Sequence, residues 1–154
     1  MKTSPPRIFG ISSIVCITVI LSGLFSAVLP AQVADADQKM GIAKSQHEII
    51  LLLIKENRLT EIQPELDKIF NLHLPTQFEE RIISSMLIIS EAYLQNQRFD
   101  LCLRMLERGV VELQLGRSKA KLFQEMGYVY KVQGDDKKAM DCFRKAQQWA
   151  ETTP

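Results

Sequence analysis

The chain has 154 residues, with nineteen basic and eighteen acidic side chains and a formal charge of +1. That length holds one small domain, or one domain behind a targeting segment. Charge is unevenly distributed: residues 1–36 carry only Lys2, Arg7 and Asp35, whereas residues 37–154 carry seventeen basic and seventeen acidic groups. The second part has no block of Lys and Arg with which to release counterions from phosphates, which argues against a nucleic-acid partner.

Lys2 and Arg7 precede a stretch from Ile8 to Ala34 that contains no charge. Basic residues stay on the cytoplasmic side while an apolar run enters the bilayer, so residues 1–36 read as an export segment. Two outcomes stay open. Pro30 is expected to end any helix, and Ala34-Asp35-Ala36 offers the small-x-small pattern at which a signal peptide is cleaved. The run from Ile8 to Leu29 is also long enough to span a ~30 Å bilayer and be retained as an anchor. Either way the remainder is expected to be exported, periplasmic or secreted after cleavage, or held at the membrane through residues 8–29. Cys16 follows Val15, where a lipidated cysteine would follow a small residue. Export would allow a Cys102–Cys142 disulfide to persist, although both cysteines fall in helical patterns where a free thiol packs as a small hydrophobe.

Residues 37–44 read as a polar linker. From there helical spacing predicts six helices, at about 45–57, 60–72, 78–96, 98–115, 118–133 and 135–151, joined by short connections that make neighbours antiparallel. The first would be capped by Ser45, with Glu48 three residues on completing a capping box. Pro64 is expected to shorten the second. In the last pair, Phe123, Met126, Gly127 and Tyr130 share one face, and Gly127 admits a partner helix close to its backbone. Gly134 supplies the turn, Asp135 and Asp136 place negative charge at the start of the final helix, and Ala139, Phe143 and Ala146 alternate small, large and small along it.

Those seven residues, Phe123, Met126, Gly127, Tyr130, Ala139, Phe143 and Ala146, resemble the tetratricopeptide repeat signature, a helix-turn-helix of about 34 residues. The proline of that signature would fall at Glu151. Thirty-seven residues upstream, Met86, Ile89, Ser90, Tyr93, Cys102, Leu106 and Gly109 take the same places. Leu53, Ile62, Leu66 and Ile69 fit a degenerate first copy. The resemblance implies an all-α chain of antiparallel helix hairpins, stacked as a short right-handed α-solenoid over residues 45–154, with repeats at 43–76, 83–116 and 120–153.

Catalytic chemistry is hard to place. His47-Glu48 begins like a zinc-protease helix, but Leu51 stands where the second histidine is needed. His47 and His73 are therefore read as solvent-facing or capping residues. Ser118-Lys119-Ala120-Lys121 matches a serine-x-x-lysine string without its partner motifs, and Ser118 reads better as a helix N-cap. No cofactor, metal or catalytic residue is assigned.

The family resemblance implies a concave groove lined by the first helix of each repeat. Its positions here are Ser84, Leu87, Glu91 and Leu94, then Lys121, Gln124, Tyr128 and Lys131. The groove lacks the lysine and asparagine pair with which one subgroup holds C-terminal carboxylates. Repeat ends form the other candidate surfaces. Where the middle repeat presents Leu101 and Met105 to its neighbour, the last presents Lys138 and Cys142, as an array end would, and Trp149 lies nearby. At the other end, six consecutive apolar residues from Ile49 to Ile54 exceed one amphipathic stripe. The cover for that end, with Leu52, is expected to be residues 37–44, a second copy in a homodimer, or a partner. The expected function is an exported protein–protein interaction adaptor that holds a peptide or protein and has no catalysis of its own. The alternatives are a structural subunit of an envelope assembly, or an accessory subunit of an enzyme complex.

Overall fold

The computed structural model describes the backbone of residues 15–151 and the side chains of residues 34–151. The described residues form six α-helices: α1 Val15–Lys55, α2 Ile62–Phe70, α3 Glu79–Gln95, α4 Phe99–Glu112, α5 Gly116–Val132 and α6 Asp136–Glu151. Single 3-10 turns at Leu59–Glu61 and Thr76–Phe78 precede α2 and α3. The fold is all-α, with no strand among the described residues. The chain divides after Gln38, and everything from Lys39 onward belongs to one unit. The proposed export run Ile8–Leu29 lies outside the residues whose side chains are described. Among the described residues, no helix is long and apolar enough to cross a membrane.

The first helix departs from expectation. It runs through Pro30, which removes one backbone donor without ending the helix, and residues 37–44 are helical rather than a linker. The polar letters there conceal a buried face: Met40, Ala43, Ile50 and Leu53 recur at helical spacing and all point inward. Ser45 caps nothing. Its Oγ donates to the Gly41 carbonyl at 3.2 Å, one turn back inside a continuous helix. Of the apolar run that follows, Ile49 and Leu52 remain 43% and 57% exposed.

Three connections close in the same way. After α1, the amide of Asn57 donates to Ile54 O at 3.0 Å and that of Arg58 to Leu53 O at 2.8 Å. After α3, Gln97 donates to Leu94 O at 3.0 Å and Arg98 to Tyr93 O at 2.8 Å. After α5, Gly134 donates to Lys131 O at 3.1 Å and Asp135 to Tyr130 O at 2.9 Å. Each is a Schellman closure, whose turning residue must adopt a left-handed conformation. Asn57, Gln97 and Gly134 do so, at φ of 58°, 56° and 80°. The next helix then starts at once, and before α6 the Asp135 carboxylate accepts the Lys138 amide at 3.1 Å. Pro64 sits in the first turn of α2, where its missing N–H costs little, and that helix has only nine residues.

Small residues decide how closely the helices pair. A Cβ on Gly127 would lie 2.5–2.8 Å from three ring atoms of Phe143, so α6 lays its aromatic ring directly on the α5 backbone. In the preceding pair Ser90 stands in the place of Gly127, and its Oγ lies 3.1 Å from Cys102 Sγ. Gly109 on α4 is similarly filled by Met86 and by Leu122 of α5. Around α1 and α2 the corresponding positions are Ile50, Ile62 and Ile69, all large and all buried. Interaxial distance follows the side chains at the crossing. Among the described residues α5 and α6 share the most extensive contact, and α3 and α4 a smaller one.

One core runs through the unit, from Met40 to Cys142. Leu66, Leu106 and Leu122 are fully buried in it, each stabilising by roughly 1.5–3 kcal/mol. A buried carboxylate ties its middle together. Glu79, 3% exposed, accepts the Gln114 amide at 2.7 Å and the Leu115 amide at 3.1 Å, which satisfies the connection between α4 and α5.

Candidate functional site

The eight groove candidates all lie on α3 and α5, which pack against one another, and none is fully buried. On α3, Leu87 is 38% exposed and Leu94 is half-buried. Ser84 Oγ donates to Glu80 O at 2.9 Å, and Glu91 Oε1 accepts from Gln95 Nε2 at 2.8 Å. On α5, Lys121 pairs with Glu80 across the two helices. That ammonium hydrogen-bonds the Glu80 carboxylate and holds its pKa below the ordinary range. Gln124 Nε2 donates to the Tyr128 hydroxyl at 3.4 Å. The Tyr128 ring is 46% exposed and meets Phe143 edge-on, with centroids 5.4 Å apart at 71°. Lys131 is exposed. The surface thus mixes Leu87 and Leu94 with Ser84 and Glu91 along α3, and is basic and aromatic along α5.

At the expected end contacts, Leu52 is exposed, and with Ile42 and Ile49 it forms an apolar stripe along α1. Trp149 is 37% exposed, with the Lys119 ammonium 4.9 Å above its ring. Lys138 is exposed but Cys142 is buried, so the final helix is only partly polar where a neighbour would stack. A cleft of about 380 Å³ opens between α5 and α6, with Tyr128, Phe143, Ala146 and Ala150 among its walls.

A larger cleft, of about 450 Å³, was not visible in the sequence. Its floor is made by Leu66 and Ile69 of α2 with Leu74 and Ile82. From one side α1 contributes Met40, Ala43, Lys44, His47 and Glu48, and from the other α3 contributes Arg81, Ser84, Ser85 and Ile88. His47 is not a solvent-facing residue: its ring lines this cleft, and its Nδ1 is buried without a hydrogen-bond partner. His73 occupies the left-handed position after α2, at φ 47°.

The catalytic look-alikes dissolve in three dimensions. Ser118 is not an N-cap but lies inside α5, whose cap residue is Leu115, and it is 1% exposed. Lys121, the lysine of that string, reaches Glu80 instead. Cys102 and Cys142 are free thiols, both buried. Burial pushes the Cys102 thiol up to about 11, partly offset by its hydrogen bond to Ser90, while the Glu125 charge raises it further. Ser90 Oγ in turn donates to Glu125 Oε1 at 2.6 Å, so the thiol is the protonated end of a closed polar chain. Among the described residues, no three His, Cys, Asp or Glu side chains converge as metal ligands. No family model matches the sequence, and no curated protein or solved structure shows significant similarity to it.

Proposed function

We propose that this chain is an exported, tetratricopeptide-like interaction module, a short right-handed solenoid that holds a peptide or protein partner along α3 and α5. The observation that carries the reading is the threefold recurrence of one turn. The bonds received at Leu53, Tyr93 and Tyr130 mark the same place in each of the three repeats, including the first, where the signature residues are weakest. A stack of such hairpins presents its first helices side by side, and a groove along them is the surface such arrays use for binding. Export rests on the charge-free run behind Lys2 and Arg7.

The test is partner recovery from the envelope fraction. Replacing Tyr128 by Ala and Lys131 by Glu, both exposed, should abolish capture of whatever the unaltered protein retains. Retention by that variant, with loss on substituting Leu52 and Trp149, would refute the groove. A second reading has its own observation: Ile42, Ile49 and Leu52 leave an uncovered apolar stripe on α1. In that reading the protein is a structural subunit that associates with a second copy through this end. Sedimentation at micromolar concentration decides it, since Leu52→Lys should convert a dimer to a monomer, and a monomeric unaltered protein ends the idea.

A further inference from the structure

The cleft between α1, α2 and α3 has a chemistry that an extended peptide does not fit. Every peptide residue brings a backbone donor and acceptor that need partners once covered. The lining supplies few. Of its two hydroxyls, that of Ser84 is already committed to Glu80 O, which leaves Ser85, and the His47 Nδ1 is sealed from solvent. What remains is an aliphatic trough made by Met40, Leu66, Ile69 and Ile82, with Ile88, 47% exposed, at its mouth.

Charge at the cleft is asymmetric. Two cations, Lys44 and Arg81, face it, against one carboxylate, Glu48. Neither cation forms an ion pair among the described residues, and the Arg81 guanidinium rests 5.9 Å from the centre of the Phe78 ring, which orients it without neutralising it. A volume of 450 Å³ falls within the roughly 300–1,000 Å³ of small-ligand pockets. An eight-carbon chain, at about 30 Å³ per heavy atom on the scale of liquid water, fills roughly half of it.

We propose that this cleft binds a free, single-chain aliphatic carboxylate, its chain in the trough over Leu66 and Ile69 and its head group between Lys44 and Arg81. The chain brings no backbone groups to satisfy, and the head group meets the excess positive charge. This ligand is distinct from the partner proposed for α3 and α5; the two surfaces share Ser84, and either assignment stands or falls without the other.

The full-length protein with ¹³C-labelled methyl groups is titrated with octanoate below its micellar concentration. Saturable shifts are expected at the Met40, Ile82 and Ile88 methyls, with 1-octanol binding about tenfold more weakly. Arg81→Gln, at an exposed position, should bring octanoate down to the level of octanol, and Ala43→Leu, which fills the trough, should weaken both. Should Ala43→Leu not fold, Ile88→Glu serves instead, because it places a negative charge at the mouth and should weaken octanoate more than octanol. Absence of saturable shifts overturns the proposal, as does an octanoate preference that survives Arg81→Gln combined with Lys44→Gln. So does a response seen only with phosphatidylglycerol vesicles, or only with an acidic dipeptide such as acetyl-Leu-Glu-amide.

Discussion

The seat of Phe143 on the α5 backbone makes a quantitative test of helix packing. Converting Gly127 to Ala places a methyl group 2.5, 2.7 and 2.8 Å from Phe143 Cε1, Cδ1 and Cζ, where carbon atoms prefer about 3.5–4.0 Å. The ring must therefore withdraw by about 1 Å. Its edge-on contact with Tyr128 opposes that movement, and such pairs contribute about 0.5–1.5 kcal/mol beyond their buried area. Overpacking of this kind costs roughly 1–3 kcal/mol. Alanine recovers about 1 kcal/mol through its better helix propensity, so overpacking alone leaves a net loss of about 0–2 kcal/mol, and the weakened Tyr128 contact brings it to roughly 0.5–3.5 kcal/mol. Gly41 supplies the control: it is exposed in α1 with nothing within 4 Å of a built Cβ, so Gly41→Ala should stabilise by about 0.5–1 kcal/mol. Urea unfolding followed by helical circular dichroism measures both, read as midpoint changes at constant slope. Phe143→Leu in the Gly127→Ala background should cost less than Phe143→Leu alone, with a coupling of at least ~0.5 kcal/mol. A Gly127→Ala protein as stable as the unaltered one would show that the ring does not rest on the α5 backbone.

Three further outcomes follow from particular contacts. Glu79→Ala deprives the Gln114 and Leu115 amides of their acceptor and should destabilise by about 2 kcal/mol, within the roughly 1–3 kcal/mol of an orphaned buried donor. Glu79→Gln keeps one oxygen and should lose less, with faster hydrogen exchange at those two amides as the local signature. Asp135 is held below the ordinary carboxylate range by its hydrogen bond to the Lys138 side chain and then by the Lys138 amide. A depressed folded pKa gives stability that is fully present above the unfolded value of about 4 and is lost as pH falls through the folded one. The stability advantage over Asp135→Asn should therefore be constant near neutrality and shrink below about pH 4. Finally, Cys102, with its thiol pushed up to about 11, and Cys142, raised by burial, should resist iodoacetamide at pH 8 until the protein unfolds. Peptide mass mapping locates the label, and rapid modification of folded Cys102 would contradict its place at the buried end of the chain through Ser90 to Glu125.

The helices were largely legible because their stop signals are local. Gly134 followed by Asp135 ends one helix and starts the next through chemistry confined to a few residues, and α6 begins within one residue of its expected position. Asn57 and Gln97 perform the same turn without glycine, and helical periodicity still located those boundaries to within about two residues. The leading part of α1 was not legible. Between Asp37 and Lys44 the apolar letters are few, and only three-dimensional packing reveals that Met40 and Ala43 share a buried face with Ile50. Glu79 was missed for a related reason. A charged residue at the start of a helix ordinarily faces solvent, and nothing local announces that its carboxylate is needed by amides 35 residues further along the chain.

The candidate surfaces divide along the same line. Groove positions on α3 and α5 follow from repeat register, so residues such as Leu87 and Tyr128 could be named before any coordinates, and both are exposed. The cleft beside α2 could not, because it depends on a distance between helices rather than on any motif. Gly127 and Ala139 let α6 settle onto α5, and Phe143 rests on the α5 backbone. At the equivalent distances from their turn, α1 and α2 carry Ile50, Ile62 and Ile69, all buried, and beside them lies the cleft lined by α1, α2 and α3. On the repeat reading proposed above, the hairpin that departs from the signature is where a small ligand would be admitted, and the hairpins that keep it are where a partner would meet a well-packed surface.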